Sequence, residues 1–336
     1  MKVVIPVGAL HVGGGCRVLA QVANALVAKR HDVEVVIPQG MPIEYKLHCK
    51  VTQVPSLQKE YIPYGDVVLP NFYTTFAPAF AAWPEKCVRL SLGYEPYWVP
   101  DPDYARWTYQ QQVPVISISN WLADQIQANA GSPSQVVNLG VDRHVFHPKG
   151  RKKKRKRKVI LYIARDPNAG YELKGYTDFV ASMHILKQIS KRKFTVYMIC
   201  PERILPLPGI AHRTFQPQTD DEIATLYRAA DVFVSTSWFE GFALPPLEAM
   251  ACGTPVVTTN SGGILDFAEH HESALITSPR APEELAYAVK RILNSHHLRG
   301  HILRGGLKSA REHSQRRFER RIVRALEKIH RERTSG

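Results

Sequence analysis

Residues 238–257 read WFEGFALPPLEAMACGTPVV, which sets two carboxylates and a glycine-containing turn at the entrance of a short helix. The preceding AADVFVSTS is apolar and β-branched, as a buried strand requires, and Glu240-Gly241-Phe242-Ala243-Leu244 follows as a turn carrying an acid. Proline is tolerated only in the first turn of a helix. Pro245 and Pro246 therefore mark the start of a helix through Leu247 to Ala251, which Gly253 closes and Pro255 cannot extend. A second strand runs from Pro255 to Thr259. Strand, turn, helix and strand in that order make a βαβ unit, and such units build parallel sheets that bind ligands at the carboxyl ends of their strands. This order predicts that Glu240 lies beside a ligand.

Free N–H groups at the helix entrance, with the positive end of the dipole, suit an anion such as a diphosphate. Carboxylates repel phosphate, so Glu240 and Glu248 are read as acceptors for neutral hydroxyls of a sugar or ribose. A glutamate in the first turn also simply favours the dipole. The stretch resembles the Glu-x7-Glu motif of family 4 glycosyltransferases, retaining enzymes with the two-domain GT-B fold. By that resemblance Glu240 and the backbone after it (Gly241, Phe242, Ala243 and Leu244) contact the donor sugar, and Glu248 holds the ribose of the nucleotide.

Working outward, the strand VILYIA is followed by RDPNAGYELKGY, where Arg165 and Lys174 flank a glycine-containing loop, and two cations beside a strand end suit a diphosphate. The family's arginine and lysine in a G-R-x(n)-K-G pattern neutralise the leaving diphosphate. The resemblance passes that role to Arg165 and Lys174, with Ala164 in place of the usual glycine. Thr219-Asp220-Asp221-Glu222 reads as a capping box before the motif strand. Gly262 and Gly263 fall where the family has a turn near the donor, with Asp266 where a glutamate is more usual.

The first half opens with a strand at Lys2 to Val7, a loop to Gly15, a helix from Arg17 to Lys29 and a strand from Val33 to Pro38. Its loop HVGGGCR is neither GxGxxG nor a phosphate-binding loop, since Gly14 stands where lysine is needed, and Gln39 and Gly40 replace the acid that holds a nicotinamide ribose. Both departures argue against a dehydrogenase or an ATPase. In the family a similar loop approaches the donor phosphates or the acceptor, which implies that Gly13, Gly14 and Gly15 line the cleft; the alternative is a mobile loop. The segment SLGYEPYWVPDPDYARWTY joins aromatics to Glu95 and reads either as an acceptor site, with Tyr94 and Glu95 facing the sugar, or as a loop packed onto its domain. Its Tyr94-Glu95-Pro96 resembles a stretch in some bacterial rhamnosyltransferases of the same family, which implies a deoxysugar donor. Asp101-Pro102-Asp103 spells a DxD. Asp103 precedes the helical YARWTYQQQ and is read as its cap, not as a metal ligand.

Composition agrees with a globular enzyme of two domains: 336 residues exceed what one core usually supports, and 44% are hydrophobic. The five cysteines are odd in number and lack a CxxC pair, so they are read as core or idle thiols. No apolar run approaches the ~20 residues of a membrane helix, and the opening MKVVIPVGAL lacks a signal peptide's cleavage site, which predicts a cytoplasmic protein. Of the net charge of +14, eight units come from the uninterrupted run Arg151 to Lys158. That run reads as a solvated linker, as a peripheral contact with the anionic inner face of a membrane, or as a nucleic-acid site, the last disfavoured because no aromatics are interleaved.

The resemblance as a whole implies an α/β GT-B enzyme, two Rossmann-like domains facing each other across a cleft. The expected parts are an acceptor-side domain over 1–147, a donor-side domain over 148–312, and a basic helix over 313–336 that crosses back to the first domain. It implies a retaining transfer from a nucleoside-diphosphate sugar to a glycan or lipid-linked hydroxyl in surface polysaccharide or glycan synthesis. Glu240, Arg165 and Lys174 are the catalytic set, and no metal or resident cofactor is expected. A sugar-nucleotide epimerase of the same fold and a non-catalytic binder of sugar nucleotides or polyanions remain open.

Overall fold

The alternation of short β-branched runs with amphipathic stretches resolves, in the computed structural model, into two compact α/β units: Met1–Asn138 with Arg316–Gly336, and Leu139–Gln315. The structure describes residues 1–149 and 155–335.

In the first unit, β1 (Lys2–Pro6), β2 (Asp32–Pro38), β3 (Lys50–Val54) and β4 (Val67–Val68) form a parallel sheet of order β3-β2-β1-β4. A second parallel set, β5 (Arg89–Ser91), β6 (Val115–Ser117) and β7 (Ser134–Val136), continues it: the Val88 and Leu90 amides donate to the Val68 and Pro70 carbonyls at 2.8 and 3.0 Å. The helices between them are α1 (Gly14–Ala28), α2 (Tyr73–Ala82), α3 (Pro102–Gln110) and α4 (Asn120–Ala130).

The second unit contains β8 (Lys158–Ile163), α5 (Tyr176–Ile189), β9 (Phe194–Ile199), β10 (His212–Phe215), α6 (Asp220–Ala229), β11 (Val232–Ser235), α7 (Leu244–Ala251), β12 (Val256–Thr259), β13 (Leu275–Thr277), α8 (Pro282–Asn294) and α9 (His296–Glu312). All six strands are parallel, in the order β10-β9-β8-β11-β12-β13. Chain progression reverses between β8 and β11, and at such a switch point the loops leaving two neighbouring strands diverge and open a crevice. Of the expected capping box the N-cap half is present, with the Thr219 hydroxyl accepting from the Glu222 amide at 3.3 Å, while the Glu222 carboxylate accepts from the Gln218 amide at 2.7 Å, one residue before the cap. Continuous apolar strands suit a sheet buried on both faces, and Ile160, Val196, Val232, Val234 and Val257 are fully buried against α5 and α8 residues such as Phe179, Met183 and Ile292.

The last helix, α10 (Gln315–Thr334), belongs to the first unit. Phe318, Ile322, Leu326 and Ile329 line its buried face, Glu327 pairs with His31 at 3.0 Å, and Arg333 donates to the Cys87 carbonyl at 2.8 Å. Its charges occupy the other face, as an amphipathic surface helix requires. Among the described residues no helix is long and apolar enough to cross a membrane.

Candidate donor site

The two loops at the switch point of the second unit carry the charged residues that the sequence singles out. The loop after β8 bears Arg165 and Lys174, and the loop after β11 bears Glu240. Lys174 Nζ lies 2.7 Å from Glu240 Oε1, and the Ser237 hydroxyl donates to the same oxygen at 2.8 Å. Both members are partly exposed, Lys174 at 31% and Glu240 at 19% of the side chain, so the pair is open to a ligand.

Backbone contacts hold these loops together. The Trp238 amide donates to the Leu173 carbonyl at 2.8 Å, and the Thr236 hydroxyl to that of Lys174 at 2.9 Å. Gly175 has a φ of +66°, and a Cβ there would lie 2.1 Å from the Thr236 carbonyl oxygen, so only glycine lets Lys174 approach the motif strand. On the other side, the Glu240 amide donates to the Ser261 carbonyl at 2.8 Å and Gly263 donates back to the Glu240 carbonyl at 3.1 Å. A Cβ on Gly263 would meet the Gly241 carbonyl oxygen at 2.3 Å. The Gly262-Gly263 turn is therefore the clamp that sets the Glu240 backbone.

The helix entrance differs from the sequence expectation. α7 begins at Leu244, with Ala243 in the left-handed region at φ 70°, so Pro245 and Pro246 occupy its second and third positions. Neither proline has an N–H, which removes two of the donors that a helix N-terminus normally offers an anion. Leu244 and the Gly241–Ala243 backbone remain as the donors at this entrance. A non-glycine residue held left-handed is a local strain that the surrounding packing sustains. Glu248 lies one turn beyond the entrance, 7% exposed, and accepts from the Tyr227 hydroxyl at 3.1 Å. Phe242 is buried against Phe267, ring centres 5.1 Å apart, so that residue faces the core and only its backbone is available to a ligand.

Arg165 stacks over the Tyr171 ring at 3.6 Å and donates from Nε to Glu202 Oε1 at 2.6 Å. Glu202, in the loop after β9, also accepts from the Asp166 amide at 3.3 Å, and Asp166 in turn is paired with Arg203. Arg203 holds the Asp166 carboxyl below its usual range. Ser237, Glu202 and Tyr227 are absent from the sequence reading. Ser237 sits three residues before Glu240 in the same turn and was open to inspection, whereas Glu202 and Tyr227 come near the site only through the sheet order.

Residues 157–295 match the family model described as "Glycosyl transferases group 1". The matched stretch lies wholly within the second unit, from the start of β8 to the end of α8. Over 120 residues the chain is 39% identical to the D-inositol 3-phosphate glycosyltransferase of Saccharomonospora viridis, covering 36% of this chain and 27% of that protein. The chain spans under half the length of the curated relatives it matches. The fold is that of sucrose-phosphate synthase from Thermosynechococcus elongatus, with a TM-score of 0.80 at 18% identity over 98% of both chains. It is also that of Anabaena HepE in complex with UDP-glucose, at a TM-score of 0.75 and 18% identity over 98% of this chain and 100% of the other. The two parallel sheets are the Rossmann-like halves of a GT-B fold, and α10 packs in the first of them.

Within the matched residues lie Glu240, Gly241, Phe242, Ala243, Leu244, Glu248, Arg165 and Lys174; the remaining candidates lie in the first unit. There α1 starts at Gly14, earlier than the predicted Arg17, because Gly13 serves as its extended N-cap. The Tyr45 hydroxyl accepts from the Gly13 amide and donates to its carbonyl, both at 2.9 Å, while Glu44 accepts from the Val12 amide at 2.5 Å. Gly14 and Gly15 are exposed on the first turn of α1.

Tyr94 and Glu95, expected to face an acceptor, are each 2% exposed. Arg89, itself fully buried, donates to Glu95 Oε2 at 2.6 Å, and the Tyr73 amide donates to the same oxygen at 3.0 Å. Burial pushes the Glu95 carboxyl up, against the opposing pull of Arg89. The carboxylate thus ties its loop to β5, which matches the packed-loop alternative and not the acceptor-facing one. Exposed aromatics do lie nearby: Tyr97, Trp98, Tyr104 and Trp107, the last two stacked at 5.6 Å. The cap of α3 is Asp101, accepting from the Tyr104 amide at 2.9 Å; Asp103 instead pairs with Arg106. Pro102 then takes the first helical position, which shifts the cap two residues upstream of the expected one. Among the described residues the five cysteines form no disulfide, and three of them are buried. Of the basic run, Arg151 to Lys154 lie outside the described residues, and Lys158 opens β8 with its ammonium 3.0 Å from Asp231.

Proposed function

We propose that this chain is a metal-independent, retaining glycosyltransferase that moves a sugar from a nucleoside-diphosphate donor to a hydroxyl of a glycan or lipid-linked acceptor. The observation that carries the reading is the Lys174–Glu240–Ser237 cluster at the switch point of a domain that matches group 1 glycosyltransferases. A sugar nucleotide presents there a diphosphate, which needs cations, and hydroxyls, which need acceptors. Lys174 and Arg165 supply the first, and Glu240 and Glu248 the second. UDP-glucose is the natural first donor to try, given the complex of the structurally similar HepE.

The chemical step breaks the bond between the anomeric carbon and the diphosphate oxygen while the acceptor oxygen bonds to that carbon on the same face; negative charge accumulates on the departing nucleoside diphosphate, which takes up the acceptor's proton. Fixed cations stabilise that charge more in the transition state than in the bound donor, which is how they accelerate the step. Glu240, released from Lys174 when the diphosphate arrives, accepts a hydrogen bond from a donor-sugar hydroxyl and orients the ring. Glu248, one turn into α7 and held by Tyr227, receives the ribose. The backbone N–H groups of Gly241 to Leu244 complete the turn around the sugar and phosphate. In the first unit, Gly13, Gly14 and Gly15 let backbone approach the donor or acceptor, and the exposed Tyr97, Trp98, Tyr104 and Trp107 offer apolar faces on which acceptor sugar rings stack. Tyr94 and Glu95 are buried, so this segment gives no support to a deoxysugar donor.

The test is release of nucleoside diphosphate from a panel of sugar nucleotides, with and without simple glycoside acceptors. Acceptor-dependent release that Lys174→Ala lowers about 100-fold supports transfer at this site. Conversion of donor to an epimer, or inertness across donors and acceptors, contradicts it.

A further inference from the structure

The amino-terminal edge of the second sheet carries a separate basic surface. α5 runs antiparallel to the strands, so the turn after it, Ser190 to Lys193, returns to the end of the sheet opposite Arg165 and Lys174. There Arg157, Lys187, Lys191, Arg192 and Lys193 line one open pocket of about 370 Å³, floored by Phe194, Ile210 and Ala211. All five cations are exposed, and among the described residues no carboxylate lines the pocket. The contacts recorded for two of them leave the charge in place. Lys187 donates to the Gly209 carbonyl at 2.8 Å and Arg192 to the Asn294 side-chain oxygen at 3.2 Å, both neutral acceptors. In contrast, Lys158 at the neighbouring strand start is matched by Asp231.

The described end of the basic run, Arg155 to Lys158, enters β8 at this same edge, with Arg155, Lys156 and Arg157 exposed. Run and pocket together hold twelve cations, so the rest of the chain accounts for only two units of the net +14. We infer that this edge is a docking surface for an anionic lipid bilayer, with headgroup phosphates entering the pocket between Arg157, Lys187 and Lys193. A diffuse array of lysines and arginines suits a bilayer, because mobile anionic lipids gather beneath it without a fixed geometry. Nucleic acid usually asks for aromatic faces among the cations, and here Phe194 is buried and the run contains no aromatic residue. β8 is six residues long, so about 17 Å of strand separates this edge from the donor loops. Docking therefore leaves the donor site open to water, and membrane and nucleotide bind without competition.

The experiment is co-sedimentation of the full chain with vesicles of phosphatidylcholine alone or mixed with phosphatidylglycerol. Two charge-matched variants are compared: Lys187, Lys191, Arg192 and Lys193 changed to Ser, and, on exposed positions of α10, Arg320, Arg321, Arg324 and Lys328 changed to Ser. Each cation near an anionic surface is worth roughly fivefold in partitioning before crowding and salt reduce it. The pocket variant is expected to bind mixed vesicles at least tenfold more weakly, the α10 variant within about threefold of the parent, and the parent to ignore phosphatidylcholine alone. Melting temperatures and nucleoside-diphosphate affinity stay unchanged in the pocket variant. Equal losses in both variants reduce the effect to net charge and overturn the assignment. So does a pocket variant that sediments like the parent, or a parent that binds single-stranded RNA but no vesicles.

Discussion

Glu240 and Glu95 are the same residue type, each just after a strand of a parallel sheet, each bonded to a cation at 2.6–2.7 Å, and they have opposite fates. Glu95 is closed over by aromatic rings, with Arg89 sandwiched against Tyr109 at 3.6 Å, so its charge never meets solvent. Glu240 stays a fifth exposed on a loop that two glycine contacts pin in place. The first arrangement fastens a loop; the second keeps an ion pair that a ligand can exchange. Burial of both partners, more than the presence of an ion pair, separates a structural carboxylate from one available for binding.

The largest expected effect falls on the buried pair. Arg89→Leu leaves Glu95 without its counter-charge and is expected to cost about 3–5 kcal/mol of stability in denaturant unfolding. Lys174→Ala, which breaks the exposed pair, is expected to cost under ~1 kcal/mol. Comparable losses from the two would dissolve the contrast. Next in size is turnover: Glu240→Gln is expected to lower kcat about 100-fold with its melting temperature preserved, measured as acceptor-dependent release of nucleoside diphosphate. Unaltered kcat removes Glu240 from the site. Glu248→Gln, one turn into α7, is expected to weaken nucleoside-diphosphate binding about tenfold while sparing kcat at saturating donor. The smallest effect sharpens the comparison from the other side. Glu202→Gln frees Arg165 from an exposed partner and is expected to tighten nucleoside-diphosphate binding by roughly two- to fivefold in calorimetry; weaker binding means that Glu202 orients Arg165 for its ligand.

What could be read directly from the chain was the local punctuation. Proline and glycine delimit α7, β-branched runs mark β8, β11 and β12, and the eight-residue spacing of Glu240 and Glu248 places both on one loop and helix. These features rest on backbone sterics and periodicity, which act over a few residues. The helix entrance was misplaced by one residue because the sequence does not reveal that Ala243 adopts φ 70°, a conformation imposed by its surroundings. Glu95 stayed open between two readings for a different reason: its fate depends on Arg89, Tyr109 and the Tyr73 amide, which converge only once β5, α2 and α3 are packed. The partners of Arg165 and Glu248 were hidden in the same way. Glu202 is 37 residues from Arg165 and Tyr227 is 21 from Glu248, and both approach through the strand order.

The central claim is that the loops after β8 and β11 form the donor site. Isothermal titration of UDP and the other nucleoside diphosphates into the parent chain and into Lys174→Ala tests it most directly. At least one nucleotide is expected to bind the parent, and the variant, equally stable in a thermal melt, to bind it at least tenfold more weakly. Equal affinity in the two proteins contradicts it.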